Sequence, residues 1–197
     1  MADNQTNRII TSVQSGDYQT QGEKREAWQQ IRKNVAAIID EEGEPIDQGM
    51  IDTVAALNIN SFPTTGSCQG HVKTGAEANG PWVDVEPLAT TENWQRLNSL
   101  SSDSEERKRL EQKLEPIYLE YYTAVMRALS NFYEKRKAPF EQQLTIEHSR
   151  PFYFRIKNNG SELQNTRNPE EQRIKLIDYL GEMKAFGEFL KEHYFNS

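Results

Sequence analysis

The sequence predicts an α+β fold in which a small, mostly antiparallel sheet is covered by long helices. Three long stretches place apolar residues at steps of three and four, which is typical of amphipathic helices. Three shorter stretches alternate polar and apolar residues, which is typical of half-buried strands. Because strands and helices do not alternate regularly along the chain, a doubly wound parallel sheet is not expected.

The amino-terminal part of the chain predicts a polar arm followed by two helices. Residues 1–21 are rich in Gln, Asn, Ser and Thr, and we expect a flexible arm there. The remainder, 22–197, is expected to form a single domain. Helices are predicted over 23–41 and 46–57, because apolar residues recur on one face and a glycine or proline follows each stretch.

Strands are predicted where the period changes to two. Residues 82–86 alternate around two valines and end at a proline. Residues 144–148 and 152–157 alternate in the same way, and the short link between them predicts a hairpin. The segment 62–67 is a candidate for one further strand.

Two more helices are predicted in the second half of the chain. Overlapping capping-box patterns at 102–106 indicate the start of a long helix that continues to about residue 132. Pro116 lies inside this pattern, and a break or kink is expected there. The final helix begins at the Asn168-Pro169 pair, which combines a capping side chain with a proline in the first turn.

Composition excludes several classes of protein. A single cysteine cannot form an internal disulfide or a four-cysteine metal site. The formal net charge of −7 argues against non-specific nucleic-acid binding, so nucleic acid is expected only at a local basic site, if at all. No apolar run is long enough to cross a membrane, and the first residues lack a secretion-signal pattern, so a cytoplasmic location is expected.

The segment from Thr64 to His71 concentrates the chemically reactive side chains of the chain. It contains the single cysteine, one of the three histidines, three hydroxyl groups and two glycines. Glycines let backbone N–H groups approach a ligand closely, and the hydroxyls add donors. We therefore predict a binding or catalytic pocket for a small ligand, anionic or nucleotide-like, with no metal assigned and the cofactor unknown. Its predicted catalytic residues are Cys68, His71 and Asp84, and its predicted ligand-binding residues are Thr64, Thr65, Ser67, Gly70 and Trp82.

Asp84 enters this prediction through the face of its strand. It shares a face with Trp82, and if that face meets the loop, its carboxylate can orient the His71 imidazole. A charged imidazole near Cys68 would also lower the pKa of the thiol. The alternatives are a solvated strand face and a cysteine that serves only as a small buried apolar residue.

Other interpretations remain open at this point. His148 could join Cys68 and His71 as a third metal ligand, although no spacing supports it and its position on an apolar strand face favours packing. His193 is expected in the last turn of the final helix, where a cation suits the helix dipole. The alternative function is a non-catalytic protein-interaction or regulatory module that uses the long helices as its contact surface.

The same motif carries a resemblance to known proteins. Thr65-x-Ser67-Cys68-x-Gly70-His71, with a Pro-Trp-Val strand downstream, resembles a Ser-Cys-x-Gly-His signature of uncharacterised bacterial proteins. The segment 57–82 is also distantly similar to the wybutosine-synthesis tRNA methyltransferase family, which has serine at the position of Gly66 and arginine at the position of His71. That similarity implies S-adenosylmethionine as cofactor and a tRNA base as substrate. The matching positions are Leu57, Asn58, Thr64, Thr65, Ser67, Cys68, Gly70 and Trp82.

Overall fold

The computed structural model describes residues 20–40, 43–72, 79–160, 163, 166 and 168–197. These residues form five helices and one four-stranded sheet, which confirms the predicted α+β class. The elements in chain order are α1 Gln21–Ala36, α2 Ile51–Ile59, β1 Thr64–Cys68, β2 Trp82–Val85, α3 Leu88–Ser99, α4 Glu105–Glu134, β3 Leu144–Arg150, β4 Tyr153–Asn158 and α5 Pro169–Asn196. The predicted arm lies outside the described residues except for Thr20, which caps α1, and Gln21, which begins it.

The sheet has one apolar and one polar face. Its strands lie in the order β1-β2-β4-β3, and every neighbouring pair is antiparallel. Val83 is paired with Ile156 and Val85 with Phe154, and all four side chains are fully buried. Because successive side chains point to opposite faces, the residues between them form the second face, which is polar. The predicted strands are confirmed, including the further one, which begins two residues later than predicted.

Helices cover the apolar face of the sheet. Leu57 of α2, Leu129 of α4 and Phe186 of α5 belong to the same buried core as Val83 and Phe154. Helix α5 passes closely over α2, because Gly187 leaves no side chain between the two backbones. Helix α1 also contributes to this core through Trp28 and Val35, so one sheet face and four helices form it, and the polar sheet face lies on the opposite side.

Helix α4 runs through Pro116 without interruption, so the predicted break is absent. The proline and the residue one turn before it are exposed, so water can bond the carbonyl that the missing N–H leaves free. Ser104 caps the helix by accepting a hydrogen bond from the N–H of Arg107 at 3.2 Å. Helix α3 was not predicted, and it packs Leu97 against Leu110 and Leu114 of α4.

Two helix boundaries also differ from the sequence prediction. Helix α1 ends at Ala36 rather than near residue 41, and Ile39 beyond it is 65% exposed. Helix α2 begins at Ile51 rather than Ile46, because residues 48–50 form a turn instead. The shorter helices leave a longer connection between them, and this connection contributes to the candidate site. No helix among the described residues is both long and apolar enough to cross a membrane.

The crossing of α2 and α5 predicts opposite effects for two glycines of the same helix. A Cβ at position 187 would lie 2.9 Å from the Thr53 backbone, whereas one at position 181 would meet nothing within 4 Å. We expect Gly187→Ala to lower the free energy of unfolding by about 1–3 kcal/mol through overpacking. We expect Gly181→Ala to raise it by about 0.5–1 kcal/mol through helix propensity. Urea unfolding measures both, and a shift in the same direction for the two variants would contradict the crossing.

Candidate functional site

A thiol–imidazole pair lies at the end of β1. Cys68 is the last residue of the strand, and its Sγ lies 3.2 Å from Nε2 of His71. Gly70, between them, turns the chain with a φ of +86°, and its backbone N–H donates a hydrogen bond to Sγ at 3.3 Å. Two backbone hydrogen bonds between His71 and Asn79 then close the loop. The side chains of Cys68 and His71 are thus in direct contact.

The third member of this cluster is Asp47, which the sequence analysis did not single out. It lies in the connection between α1 and α2, and its Oδ2 accepts a hydrogen bond from the Gln69 N–H at 2.8 Å. One oxygen of Asp47, Sγ of Cys68 and one ring nitrogen of His71 lie within 4.8 Å of one another. Asp47 is half-buried, Cys68 is buried and His71 is exposed, so the cluster opens to solvent on the imidazole side.

The environment of Cys68 raises the pKa of its thiol. Burial is the largest cause, and the negative charge of Asp47 acts in the same direction. The hydrogen bond from Gly70 and the Asn79 side chain favour the thiolate without offsetting burial. The net shift of the thiol pKa is therefore upward, the opposite of the lowering that a charged imidazole would produce.

Asp84 forms an ion pair with Arg155 of β4. The guanidinium of Arg155 donates to both carboxylate oxygens of Asp84, at 2.7 and 2.9 Å, and lies 3.8 Å from the centre of the Trp82 ring. The strand register places these three residues on the polar face, with Trp82 paired directly with Cys68. Asp84 and Trp82 are thus next to the cluster, but the carboxylate that joins Cys68 and His71 in it is Asp47.

The remaining predicted binding residues either hold the fold together or are exposed to solvent. Thr64 exchanges two hydrogen bonds with the Asn58 side chain, which ties β1 to α2. Thr65 is exposed. Ser67 is half-buried and is paired with Val83, so it lies on the face opposite to Cys68.

The two other histidines lie away from the cluster. His148 is bonded to the Tyr118 hydroxyl, and its ring contacts that of Tyr122 at 4.9 Å, so it belongs to the aromatic packing of the apolar face. His148 is therefore not the third ligand beside Cys68 and His71. His193 lies in the last turn of α5, as expected.

Sequence reasoning missed the residues that complete the site from a distance. Asp47 is 21 positions before Cys68 in a segment predicted to be helical, and Arg155 is on a strand read only for its apolar face. Neither shows a spacing relative to Cys68 that sequence alone could interpret. The available signal for Arg155 was its alternation with Phe154 and Ile156, which places it on the opposite face.

The tight turn at Gly70 leads to a second paired prediction. A Cβ at this position would lie 2.4 Å from Leu176 Cδ1 and 2.7 Å from the Asn79 carbonyl oxygen, in addition to the strain of a positive φ. Gly43 has a similar φ of +88° with nothing within 4 Å. We expect Gly70→Ala to destabilise the protein by clearly more than the roughly 1 kcal/mol that the left-handed conformation costs at Gly43→Ala. Thermal unfolding compares the stability of the two variants. An equal loss of stability would show that the loop moves aside for the added methyl group without an energetic penalty.

The Asp84–Arg155 pair predicts a loss of stability when its charge is removed. We expect Asp84→Asn to lower the free energy of unfolding by about 2–3 kcal/mol, because it leaves the largely buried guanidinium without its anion. Glu147→Gln, which breaks the more exposed pair with Lys157 on the same sheet face, should cost less than about 1 kcal/mol. Chemical denaturation of both variants checks this, and a neutral Asp84→Asn would contradict the structural role.

Comparisons with known proteins found no relative of this chain. No protein-family model, no curated protein and no solved structure matches the chain. The resemblance of the Thr64–His71 segment to the wybutosine-synthesis methyltransferases therefore stays a prediction. The assignment of function rests on the geometry around Cys68.

Proposed function

We propose that this protein binds a small polar ligand, anionic or nucleotide-like, at the Thr64–His71 segment, with Cys68 and His71 as the reactive centre. The observation that carries the proposal is the 3.2 Å contact between Sγ of Cys68 and Nε2 of His71. A cysteine that served only as an apolar residue would not need an imidazole, a carboxylate and a backbone N–H around its sulfur. These polar groups support a chemical role for the thiol.

The pair is suited to moving a proton between sulfur and nitrogen. At rest, the raised thiol pKa keeps the proton on Cys68, and Nε2 of His71 is placed to accept it. Only the thiolate is a nucleophile or a metal ligand, so the transfer to His71 activates the sulfur. Because the imidazole is exposed, the proton can pass on to solvent or to a bound ligand.

The polar sheet face supports the proposed class of ligand. Arg155 and Lys157 of β4 lie on the same face as Cys68, each in an ion pair with a carboxylate, and Trp82 lies between Cys68 and Lys157 in the strand register. Cations and an aromatic surface suit a planar or anionic group such as a nucleobase or a phosphate. S-adenosylmethionine, implied by the family resemblance, combines a nucleobase with a carboxylate and belongs among the ligands to test.

The alternative, a non-catalytic interaction module, has weaker support. Helix α5 exposes Ile174 and Ile177, and α4 exposes Leu119 and Met126. Single exposed apolar side chains of this kind are ordinary on a protein surface and do not by themselves indicate an interface. The polar surroundings of Cys68 also have no role in that alternative, so the ligand site is the better-supported function.

The reactive pair predicts an alkylation rate that depends on His71. In chelator-treated protein, Cys68 should react with iodoacetamide more slowly than a free thiol at pH 7, because its pKa is raised and little thiolate is present. The rate should increase with pH over a range above that of an ordinary thiol. Asp47→Asn removes a charge that raises the thiol pKa and should accelerate the reaction at pH 7, whereas His71→Ala removes the base and should slow it.

His193→Ala is the matched control, because it removes an exposed histidine from the far end of α5 and should leave the rate unchanged. Mass spectrometry after timed quenching gives each rate.

Adenosine monophosphate, S-adenosylmethionine and inorganic phosphate are then screened for thermal stabilisation. A ligand present at 100 times its dissociation constant should stabilise the fold by about 2.7 kcal/mol and protect Cys68 from alkylation. A thiol that reacts only in denaturant, or at a rate independent of His71, would overturn the proposal.

A further inference from the structure

We infer that Asp47, Cys68 and His71 form a binding site for a zinc-type divalent cation. The inference rests on the proposed function and deepens it, because it assigns an ion to the same reactive centre. The residues come from two separate parts of the fold, the connection between α1 and α2 and the end of β1. Tertiary packing therefore brings three metal-ligating side chains together at one point.

The spacing of the three side chains fits one ion. Zinc bonds of about 2.0–2.3 Å in tetrahedral geometry place neighbouring ligand atoms roughly 3.3–3.6 Å apart. Sγ and Nε2 are 3.2 Å apart, and all three ligand atoms lie within 4.8 Å of one another. Closing the set around an ion requires the Asp47 and His71 side chains to move, and the exposed imidazole leaves room for this movement.

The chemistry of the donors selects the kind of ion. A thiolate, an imidazole and a carboxylate form the mixed S, N, O set that zinc accepts, whereas Mg²⁺ and Ca²⁺ require oxygen ligands. Three protein ligands leave the fourth tetrahedral position to water or to a bound ligand, which is the arrangement of catalytic rather than structural zinc sites. A small anion held on the polar sheet face could occupy that position.

The electrostatics of the cluster favour a cation over an empty site. The Asp47 carboxylate and a Cys68 thiolate repel each other at this distance, and a divalent ion between them attracts both anions. The surrounding hydrogen bonds are of the kind that orient metal ligands. The Gly70 N–H donates to Sγ and the Gln69 N–H donates to Oδ2 of Asp47, at 3.3 and 2.8 Å.

The test uses the full chain after treatment with a chelator, titrated with Zn²⁺ and separately with Co²⁺. We expect one Zn²⁺ per chain and, with Co²⁺, a thiolate-to-metal absorption band in the near ultraviolet. Zn²⁺ binding at pH 7 should release about one proton, because the resting thiol is protonated. Cys68→Ser, His71→Ala and Asp47→Asn should each weaken Zn²⁺ binding by at least about tenfold, since loss of outer partners alone costs 10–100-fold.

Two controls match the variants in residue type. Asp52→Asn removes an exposed aspartate five positions after Asp47, and His193→Ala removes an exposed histidine of α5, and both should bind Zn²⁺ like the parent protein. Circular dichroism establishes that each variant is folded. The Co²⁺ absorption band is measured on the parent protein and does not depend on the folding of any variant. Its absence alone would overturn the inference.

The outcomes separate the inference from the proposed function. If Zn²⁺ does not bind, or binds equally well to the Cys68→Ser protein, the metal site is wrong. If the alkylation rate still depends on His71 in that case, the small-ligand proposal stands without the ion. If Zn²⁺ binds as expected but alkylation of the chelated protein ignores His71, the metal site stands and the thiol–imidazole coupling is wrong.

Discussion

The antiparallel pairing of β2 with β1 and β4 determines how the rest of the molecule is arranged. The register pairs Val83 with Ile156 and Asp84 with Arg155, so one face is mainly apolar and the other carries charge. A slip of one residue would exchange the two faces, burying the ion pair in the core and exposing the valines. The helices that cover the apolar face thus hold the register, and the register places Cys68 at the edge of the polar face.

The fold class and most elements follow from local sequence patterns, because periodicity records which face of an element is buried. Strands β2, β3 and β4 were predicted in this way. The break at Pro116 and the end of α1 near residue 41 were predicted wrongly, because local signals report only intrinsic preferences. Helix α4 is continuous through the proline, and Ile39 lies beyond the end of α1 and is exposed.

Prediction of the candidate site was partial for a different reason. Cys68 and His71 are three residues apart, so a single glycine-containing turn brings them together and the sequence indicates it. Asp47 joins them only because the chain between α1 and α2 passes the end of β1, and no pattern in the sequence encodes that approach. Asp84 illustrates the converse, since the correct strand face did not reveal that Arg155 on the neighbouring strand holds its carboxylate.

The placement of Asp47 beside a buried thiol has an energetic consequence for the whole site. The Asp47 carboxylate and a Cys68 thiolate are both negatively charged and repel each other at short range. A positive partner is therefore needed whenever the thiolate forms. A proton on the sulfur meets this need at rest, as the raised pKa of Cys68 indicates. When His71 takes that proton, the imidazolium formed 3.2 Å from the sulfur supplies the positive charge instead. In the proposed site, the positive charge would come from a proton on the sulfur, from the imidazolium of His71 or from a divalent cation, and its source would decide whether the sulfur is inert, reactive or bound.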